Sequence, residues 1–171
     1  MSQSSVPYKV LCVCLGNICR SPTAEVVLQQ YIDKAGLNIM VDSAGTSNYH
    51  PNQPPDARSQ KYAREQGYDL SHLRARQIQA QDFEQFDLIL AMDHDNLANI
   101  ELLMRQSSRT LKQGSVRAHL ALMSQHDLDF PQQAIPDPYY GDFKDFERVI
   151  RQCESSSQAW IRHWQKHDFK A

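Results

Sequence analysis

The chain has 171 residues, of which 41% are hydrophobic and 22% charged, and its formal net charge is −2. A chain of this length is expected to form one domain with a single hydrophobic core, and the nearly balanced charge gives no sign of a nucleic-acid partner. No apolar run is long enough to cross a membrane, and the polar first residues do not resemble a secretion signal. We therefore expect a cytoplasmic protein that binds neither nucleic acid nor membrane, with a flexible segment at residues 1–7 and a domain over residues 8–171.

Four cysteines, Cys12, Cys14, Cys19 and Cys153, are too few and too clustered to form the disulfide framework of a small secreted protein. In a reducing compartment, such residues are structural or catalytic thiols. Cys12 and Cys14 lack the turn-like spacing of a zinc-binding pair, so the sequence predicts no metal and no other cofactor. Cys153 falls in an apolar helical stripe and is predicted to be a buried, unreactive thiol.

The predicted elements begin with a buried strand over residues 8–13, because apolar and β-branched residues follow one another there. A loop over residues 14–22 leads into an amphipathic helix, for which Ser21 is the predicted N-cap and Gly36 the end. The later elements are predicted in this order: a strand over residues 39–45, a proline-rich loop over 46–55, a helix over about 56–66, a strand over 86–92, a helix that starts at 93–95, a short strand or helical turn over 116–123, and a closing helix from 141 to about 167.

Two of the helices carry side chains that bind metals in other proteins, and for both we favour a structural interpretation. Asp93, His94 and Asp95 are typical of the first turn of a helix, where the dipole favours acidic side chains. His163 and His167 lie four positions apart, but their place near a helix C-terminus accounts for them without a metal.

Strands that alternate with helices predict a single-domain α/β fold with a parallel sheet and right-handed crossovers. The ligand crevice of such a sheet lies at the carboxyl ends of its strands. The loop over residues 14–22 follows the carboxyl end of the first predicted strand, so we expect the functional site to lie there.

This loop has the composition of a phosphate-binding site that contains a nucleophile. Free backbone N–H groups and the positive end of a helix dipole surround Cys14, and Arg20 adds a planar fork that matches two phosphate oxygens. These groups favour the thiolate form of the cysteine and would hold a phosphate against its sulfur. Gly16 and Asn17 allow the tight backbone turn. The nucleotide-binding loop is excluded, because the lysine of that motif is missing.

A thiolate that attacks a phosphate ester needs a proton donor for the departing oxygen. The best candidate is Asp137, which lies in the segment Asp137-Pro138-Tyr139-Tyr140-Gly141 beside two aromatic residues. The same segment could instead be a simple turn at the entry to the closing helix. The residues alone leave both interpretations open.

With these segments in view, the sequence resembles the low-molecular-weight protein tyrosine phosphatases. Residues 13–25 match the signature loop and helix start of that family, and residues 137–140 match its general-acid loop. Residues 42–45 and 71–78 also match, and the resemblance covers roughly residues 8–165.

The resemblance implies a four-stranded parallel sheet flanked by helices on both faces, and hydrolysis of phosphotyrosine without a metal. Cys14 would attack phosphorus and form a cysteinyl-phosphate. Asp137 would protonate the tyrosyl oxygen and then act as the base toward water. Arg20 and the loop N–H groups would stabilise the charge on the phosphate oxygens in both steps.

The resemblance also assigns supporting and substrate-binding residues. Asn17, Ser43 and His72 would form a hydrogen-bond network under the loop, and Ser21 would donate to the thiolate. The full set of loop and supporting residues is Leu15, Gly16, Asn17, Ile18, Cys19, Ser21, Ser43 and His72. The walls of a slot deep enough for a phenyl ring would be Leu15, Ile18, Tyr49, Tyr139 and Tyr140. Related enzymes that act on phosphoarginine carry threonine at the position of Ile18.

Cys19 has two interpretations. It is either a small apolar filler under the loop or, as in the family, a resolving thiol that forms a disulfide with oxidised Cys14 and so prevents irreversible oxidation.

The implied partners are tyrosine-phosphorylated proteins, including a cognate tyrosine kinase, with inorganic phosphate or vanadate as ligands of the loop. Two alternatives have different chemistry. An arsenate reductase on the same fold would need further cysteines near the loop, and the region around residues 80–90 has none. A phosphotyrosine-binding module without turnover is disfavoured, because nucleophile, arginine and acid are all present.

Overall fold

Strands and helices alternate along residues 6–169, the part of the chain that the computed structural model describes. The elements are β1 (Tyr8–Cys14), α1 (Arg20–Ala35), β2 (Ile39–Gly45), α2 (Ala57–Glu65), α3 (Asp82–Gln85), β3 (Leu88–Ala91), α4 (His94–Ser107), β4 (His119–Leu122) and α5 (Phe143–His167). The predicted α/β alternation is confirmed. Most of the segment predicted to be flexible, residues 1–5, lies outside the described residues.

The four strands form one parallel sheet in the order β2-β1-β3-β4. The weakly predicted segment over residues 116–123 contains a strand, because Leu88 of β3 pairs with His119 and Ala91 pairs with Leu122. β1 lies between β2 and β3, and its last five residues are buried. Its carboxyl end therefore opens at the centre of one sheet edge, next to the point where the chain crosses from β2 to β3.

Helices cover both faces of the sheet, as the resemblance implies. On one face, Cys12 and Cys14 pack in a core cluster with residues of α1 and α5, among them Trp160 and Trp164. On the other face, Leu11 and Val13 pack in a second cluster with residues of α3 and α4. Side chains two positions apart in a strand share a face, and β1 therefore supplies both cores in alternation.

The start of α1 differs from the prediction. The helix begins at Arg20, and Cys19 occupies the N-cap position without a capping hydrogen bond from its side chain. Ser21, the predicted cap, is fully buried, and its hydroxyl contacts the sulfur of Cys14 instead. The prediction was wrong because that hydroxyl has buried partners in the loop. The predicted end is confirmed, since Gly36 adopts the left-handed conformation with φ 66°.

The predicted starts of the two later helices are confirmed. Asp93 caps α4 by accepting a hydrogen bond from the backbone N–H of Asn96 at 2.6 Å. Asp142 and Asp145 form a reciprocal capping box at the start of α5. Cys153 lies fully buried in the apolar stripe of α5, as expected.

Residues 6–169 contain neither a candidate membrane span nor a candidate metal cluster. None of the helices there is both long and apolar enough to pass through a membrane. The same residues contain no cluster of three histidine, cysteine or acidic side chains with the arrangement of a metal site.

Candidate active site

The loop between β1 and α1 is fastened to the end of β2. The backbone N–H of Thr46 donates to the carbonyl oxygen of Cys14 at 2.9 Å, and that of Ser47 donates to the carbonyl of Leu15 at 2.9 Å. A Cβ atom on Gly45 would lie 2.7 Å from the Leu15 carbonyl oxygen, so only glycine permits this approach. The sheet thus fixes the loop in place, as a preorganised anion site requires.

The sulfur of Cys14 lies among hydrogen-bond donors. The backbone N–H of Asn17 points at Sγ over 3.3 Å, and the Ser21 hydroxyl lies 3.1 Å from it. Asn17 has φ 56°, a left-handed conformation that asparagine tolerates better than most residues. The Ser21 hydroxyl also lies 3.2 Å from the carbonyl of Ala44, which it can donate to while the sulfur is protonated. When the thiolate forms, the same hydroxyl can turn to the sulfur.

The network under the loop contains Asn17, Ser21 and Ser43, but the structure does not bring His72 into it. The Asn17 amide nitrogen donates to Ser21 Oγ at 2.8 Å and to Ser43 Oγ at 3.0 Å, and its oxygen accepts from the backbone N–H of Arg76 at 3.0 Å. Among residues 6–169, no hydrogen bond joins His72 to Asn17 or Ser43, and its side chain is exposed. The expectation for this histidine is corrected: its turn faces solvent, and the backbone of Arg76 takes the place in the network.

Arg20 reaches the site from the first turn of α1, and only 3% of the residue is exposed. One terminal nitrogen donates to Asp93 Oδ2 at 2.5 Å and to the carbonyl of Ile135 at 3.1 Å, and the other lies 3.4 Å from Asp137 Oδ2. Burial alone would lower the pKa of Arg20, but Cys14 and the two carboxylates outweigh it and raise the pKa. The guanidinium is therefore a permanent, oriented cation beside Cys14.

Asp137 lies across the pocket from the loop, on the segment between β4 and α5. Its Oδ1 accepts a hydrogen bond from the backbone N–H of Tyr139 at 3.1 Å, which orients the carboxyl group. The side chain is 44% exposed, so a substrate can reach it. The fold is compatible with both interpretations left open by the sequence, because Asp137 lines the pocket and its segment also leads into α5.

One pocket of about 320 Å³ joins these groups to the predicted aromatic walls. Arg58 packs behind the wall, with its guanidinium 5.5 Å from the ring centre of Tyr139. The ring of Tyr140 meets that of Tyr139 edge-on at 4.9 Å. All five residues predicted to bind substrate face the pocket, whose lining is Cys14, Leu15, Gly16, Ile18, Cys19, Arg20, Tyr49, His50, Asp137, Tyr139 and Tyr140.

Several residues of the site were not predicted. Asp93 could have been found from the sequence, because it follows the carboxyl end of the strand β3. This strand neighbours β1, and site residues are expected at that edge of the sheet. His50 and Arg58 could not have been found in this way, since each lies in a segment whose pattern fits an ordinary loop or helix surface. Glu25 and Arg76 come close to the loop network only through the tertiary fold.

Cys19 packs in a small apolar cluster with Ile18, Ala75 and Phe146. Burial raises its pKa to about 12, although a hydrogen bond with Ser59 acts in the opposite direction. The filler interpretation accounts for these contacts. The disulfide with Cys14 remains a prediction, because both cysteines are free thiols in the structure.

We expect alkylation at neutral pH to modify Cys14 ahead of the other three cysteines. Burial raises the pKa of Cys12 and of Cys153, as it does for Cys19, so these three thiols remain protonated and react slowly. Treatment with iodoacetate followed by peptide mass spectrometry measures the order of modification. Inorganic phosphate should slow the reaction at Cys14. Modification of Cys19 first would contradict this assignment.

A cysteine sulfur that lines an aromatic pocket beside hydrogen-bond donors and an arginine, with a carboxyl group on the same pocket, is typical of the class of cysteine-dependent phosphatases. Comparison with known proteins identifies the family within that class. The family profile described as "Low molecular weight phosphotyrosine protein phosphatase" matches residues 9–169. The chain belongs to this family and is a protein tyrosine phosphatase.

Individual relatives agree with this placement. The human low molecular weight phosphotyrosine protein phosphatase is 42% identical over 154 residues, which cover 89% of this chain and 92% of the human protein. The crystal structure of a protein tyrosine phosphatase from Entamoeba histolytica has a TM-score of 0.82 and 34% identity, and covers 95% of this chain and 99% of its own. A Drosophila arginine phosphatase has a TM-score of 0.82 and 32% identity, with coverage of 94% and 99%.

Proposed function

We propose that the protein removes phosphate from phosphotyrosine in two steps through a cysteinyl-phosphate on Cys14. The observation that carries this proposal is that Cys14, Arg20 and Asp137 line one pocket. In the first step the thiolate attacks phosphorus in line, the bond from phosphorus to the tyrosyl oxygen breaks, and the Asp137 carboxyl gives its proton to that oxygen. In the second step the Asp137 carboxylate takes a proton from water, the hydroxide oxygen bonds to phosphorus, and the thiolate leaves.

The contacts of Arg20 support its role in both steps. Asp93 and the carbonyl of Ile135 hold one terminal nitrogen, which fixes the plane of the guanidinium. The other nitrogen, near Asp137, can turn its donors to phosphate oxygens. Together with backbone N–H groups such as that of Asn17, the arginine would stabilise the charge on the equatorial oxygens of the transition state.

The pocket walls support a phenol ester as the substrate. Tyr139 and Tyr140 offer aromatic faces, and Ile18 offers an apolar, β-branched side chain beside the nucleophile. A phosphoserine side chain is too short to carry its phosphate to the floor of an aromatic slot. Phosphoarginine is the competing substrate to test, because a structural relative is an arginine phosphatase.

Exchange of Ile18 for threonine tests this choice of substrate. We expect Ile18→Thr to lower kcat/KM for a phosphotyrosine peptide by roughly tenfold to a hundredfold, because a hydroxyl replaces apolar contact with the ring. Release of inorganic phosphate from phosphotyrosine, phosphoserine and phosphoarginine, with a chelator present, measures both proteins. Ile18→Val is the matched control, since valine has the shape of threonine without the hydroxyl. Faster hydrolysis of phosphoarginine than of phosphotyrosine by the unaltered protein would overturn the proposal.

We further propose tyrosine-phosphorylated proteins, a cognate tyrosine kinase among them, as the partners, with phosphate and vanadate as ligands of the loop. Membership of a phosphotyrosine protein phosphatase family supports protein substrates. A cytoplasmic location is supported by the four free cysteines, which are typical of a reducing compartment. Arsenate reduction has less support, because the fourth cysteine, Cys153, is buried in α5.

A further inference from the structure

A carboxyl group from α1 ends the hydrogen-bond network under the loop. Glu25 lies four positions after Ser21, on the same side of the helix. Its Oε2 accepts a hydrogen bond of 2.5 Å from the hydroxyl of Ser43, which the Asn17 amide joins to the loop. The reaction described above gives this glutamate no part.

The number of protons in the network fixes the direction of each hydrogen bond. The Asn17 oxygen must accept from the N–H of Arg76, so its NH₂ group faces both serines and donates to both. Because Ser43 accepts from Asn17, its one proton goes to Glu25. Because Ser21 also accepts from Asn17, its one proton is left for the Cys14 sulfur or the Ala44 carbonyl.

The charges around Glu25 leave it available as an acceptor. Arg76 lies nearby, but its guanidinium pairs with Asp42 and Asp82. Burial, followed by the charge of Asp42, raises the pKa of Glu25 to about 7, against opposing contributions from Ser43 and Arg76. On the β1 side it faces the thiol of Cys12, which remains protonated. In either protonation state the carboxyl group has an oxygen that can accept the Ser43 proton.

We propose that Glu25 is a positioning residue for the phosphatase reaction. As the final acceptor, it takes the Ser43 proton and so reinforces the orientation of the Asn17 amide that the N–H of Arg76 sets. That orientation keeps the Asn17 backbone N–H on the Cys14 sulfur and leaves the Ser21 proton free for the thiolate. The inference rests on the function proposed above, in which Cys14 is the nucleophile, and Glu25 itself contacts neither substrate nor sulfur.

Glu25→Leu and Glu25→Gln together test whether the acceptor oxygen of Glu25, and not its charge, positions the loop. In Glu25→Leu the Ser43 proton has no partner, and we expect kcat for para-nitrophenyl phosphate to fall about tenfold while KM stays within about twofold. The ultraviolet absorbance of the Cys14 thiolate should also appear at higher pH than in the unaltered protein. Glu25→Gln retains an acceptor oxygen, so its kcat should stay within about threefold of the unaltered value.

Glu154→Leu is the matched control. Glu154 is also partly buried and accepts one hydroxyl hydrogen bond, from Tyr68 at 2.8 Å, but it lies on α5 outside the loop network. This variant should keep the unaltered kcat and thiolate titration.

An unchanged kcat and thiolate titration in Glu25→Leu would refute the positioning role. Equal losses in Glu25→Leu and Glu25→Gln would also refute it, because they would point to charge rather than to an acceptor. If the unaltered protein releases no phosphate, the proposed function fails. The thiolate titration still tests the positioning of Cys14 in that case, since it needs no turnover.

Discussion

Cys14→Ser is expected to lower kcat for phosphotyrosine peptides by roughly four to six orders of magnitude, the range seen when a covalent nucleophile is removed. A serine hydroxyl in this loop remains protonated, so it cannot attack phosphorus as the thiolate does. The phosphate-binding groups stay in place, because the loop N–H groups and Arg20 do not depend on the sulfur. The variant should therefore still bind phosphotyrosine, which calorimetry with a phosphopeptide measures directly.

Cys153→Ser provides the matched control for this exchange. The residue is buried in α5, outside the pocket, so its loss should change thermal stability more than kcat. A cysteinyl-phosphate should be trapped by rapid acid quench in the unaltered protein and be missing from Cys14→Ser. Retention of full activity by Cys14→Ser would show that another group is the nucleophile.

Asp137→Asn is expected to lower kcat by about 10²- to 10⁴-fold, the usual contribution of a general acid. Asparagine keeps the size of the side chain and an oxygen that can accept from the Tyr139 N–H, but it has no proton to give. The loss should therefore depend on the leaving group. It should be large for phenyl phosphate and small for para-nitrophenyl phosphate, because nitrophenolate departs without protonation.

The same exchange at Asp142 is the control, because asparagine also serves as an N-cap and α5 should keep its start.

Asp93→Asn tests which of the two carboxylates near Arg20 supplies the proton. Asp93 contacts the guanidinium without lining the main pocket, so its loss should weaken catalysis equally for both leaving groups. A stronger leaving-group dependence in Asp93→Asn than in Asp137→Asn would assign the acid to Asp93.

The positions of Cys14 and Arg20 relative to each other could be predicted because both residues lie in one continuous segment. Strand, loop and helix start are local features of sequence, and together they place Cys14 and Arg20 at a helix N-terminus. For Asp137, a proline and two aromatic residues mark the segment but leave two interpretations open, and only the fold brings the residue to the same pocket. The secondary structure near residue 119 could not be decided from the sequence, because the strand there depends on its pairing with β3, which the local residues do not indicate.

The residues that were wrongly predicted or missed also have physical explanations. Ser21 has the residue type of an N-cap, but the Cys14 sulfur and the Asn17 amide compete for its hydroxyl. His72 matches a family segment, yet its turn places the side chain in solvent and the backbone of Arg76 in the network. Glu25 looks like any glutamate on an amphipathic helix. Its partner, Ser43, lies on β2, and no local pattern records that contact.

The contacts of Arg20 have a consequence for the end of the catalytic cycle. The guanidinium of Arg20 contacts both Asp93 and Asp137. In the proposed reaction, a phosphate monoester would displace part of this pairing when it binds, and the pairing would form again when inorganic phosphate leaves. The two carboxylates would thus compete with the product for the same donors. If Arg20 binds phosphate as proposed, this competition would weaken the binding of inorganic phosphate and speed its release after each turnover.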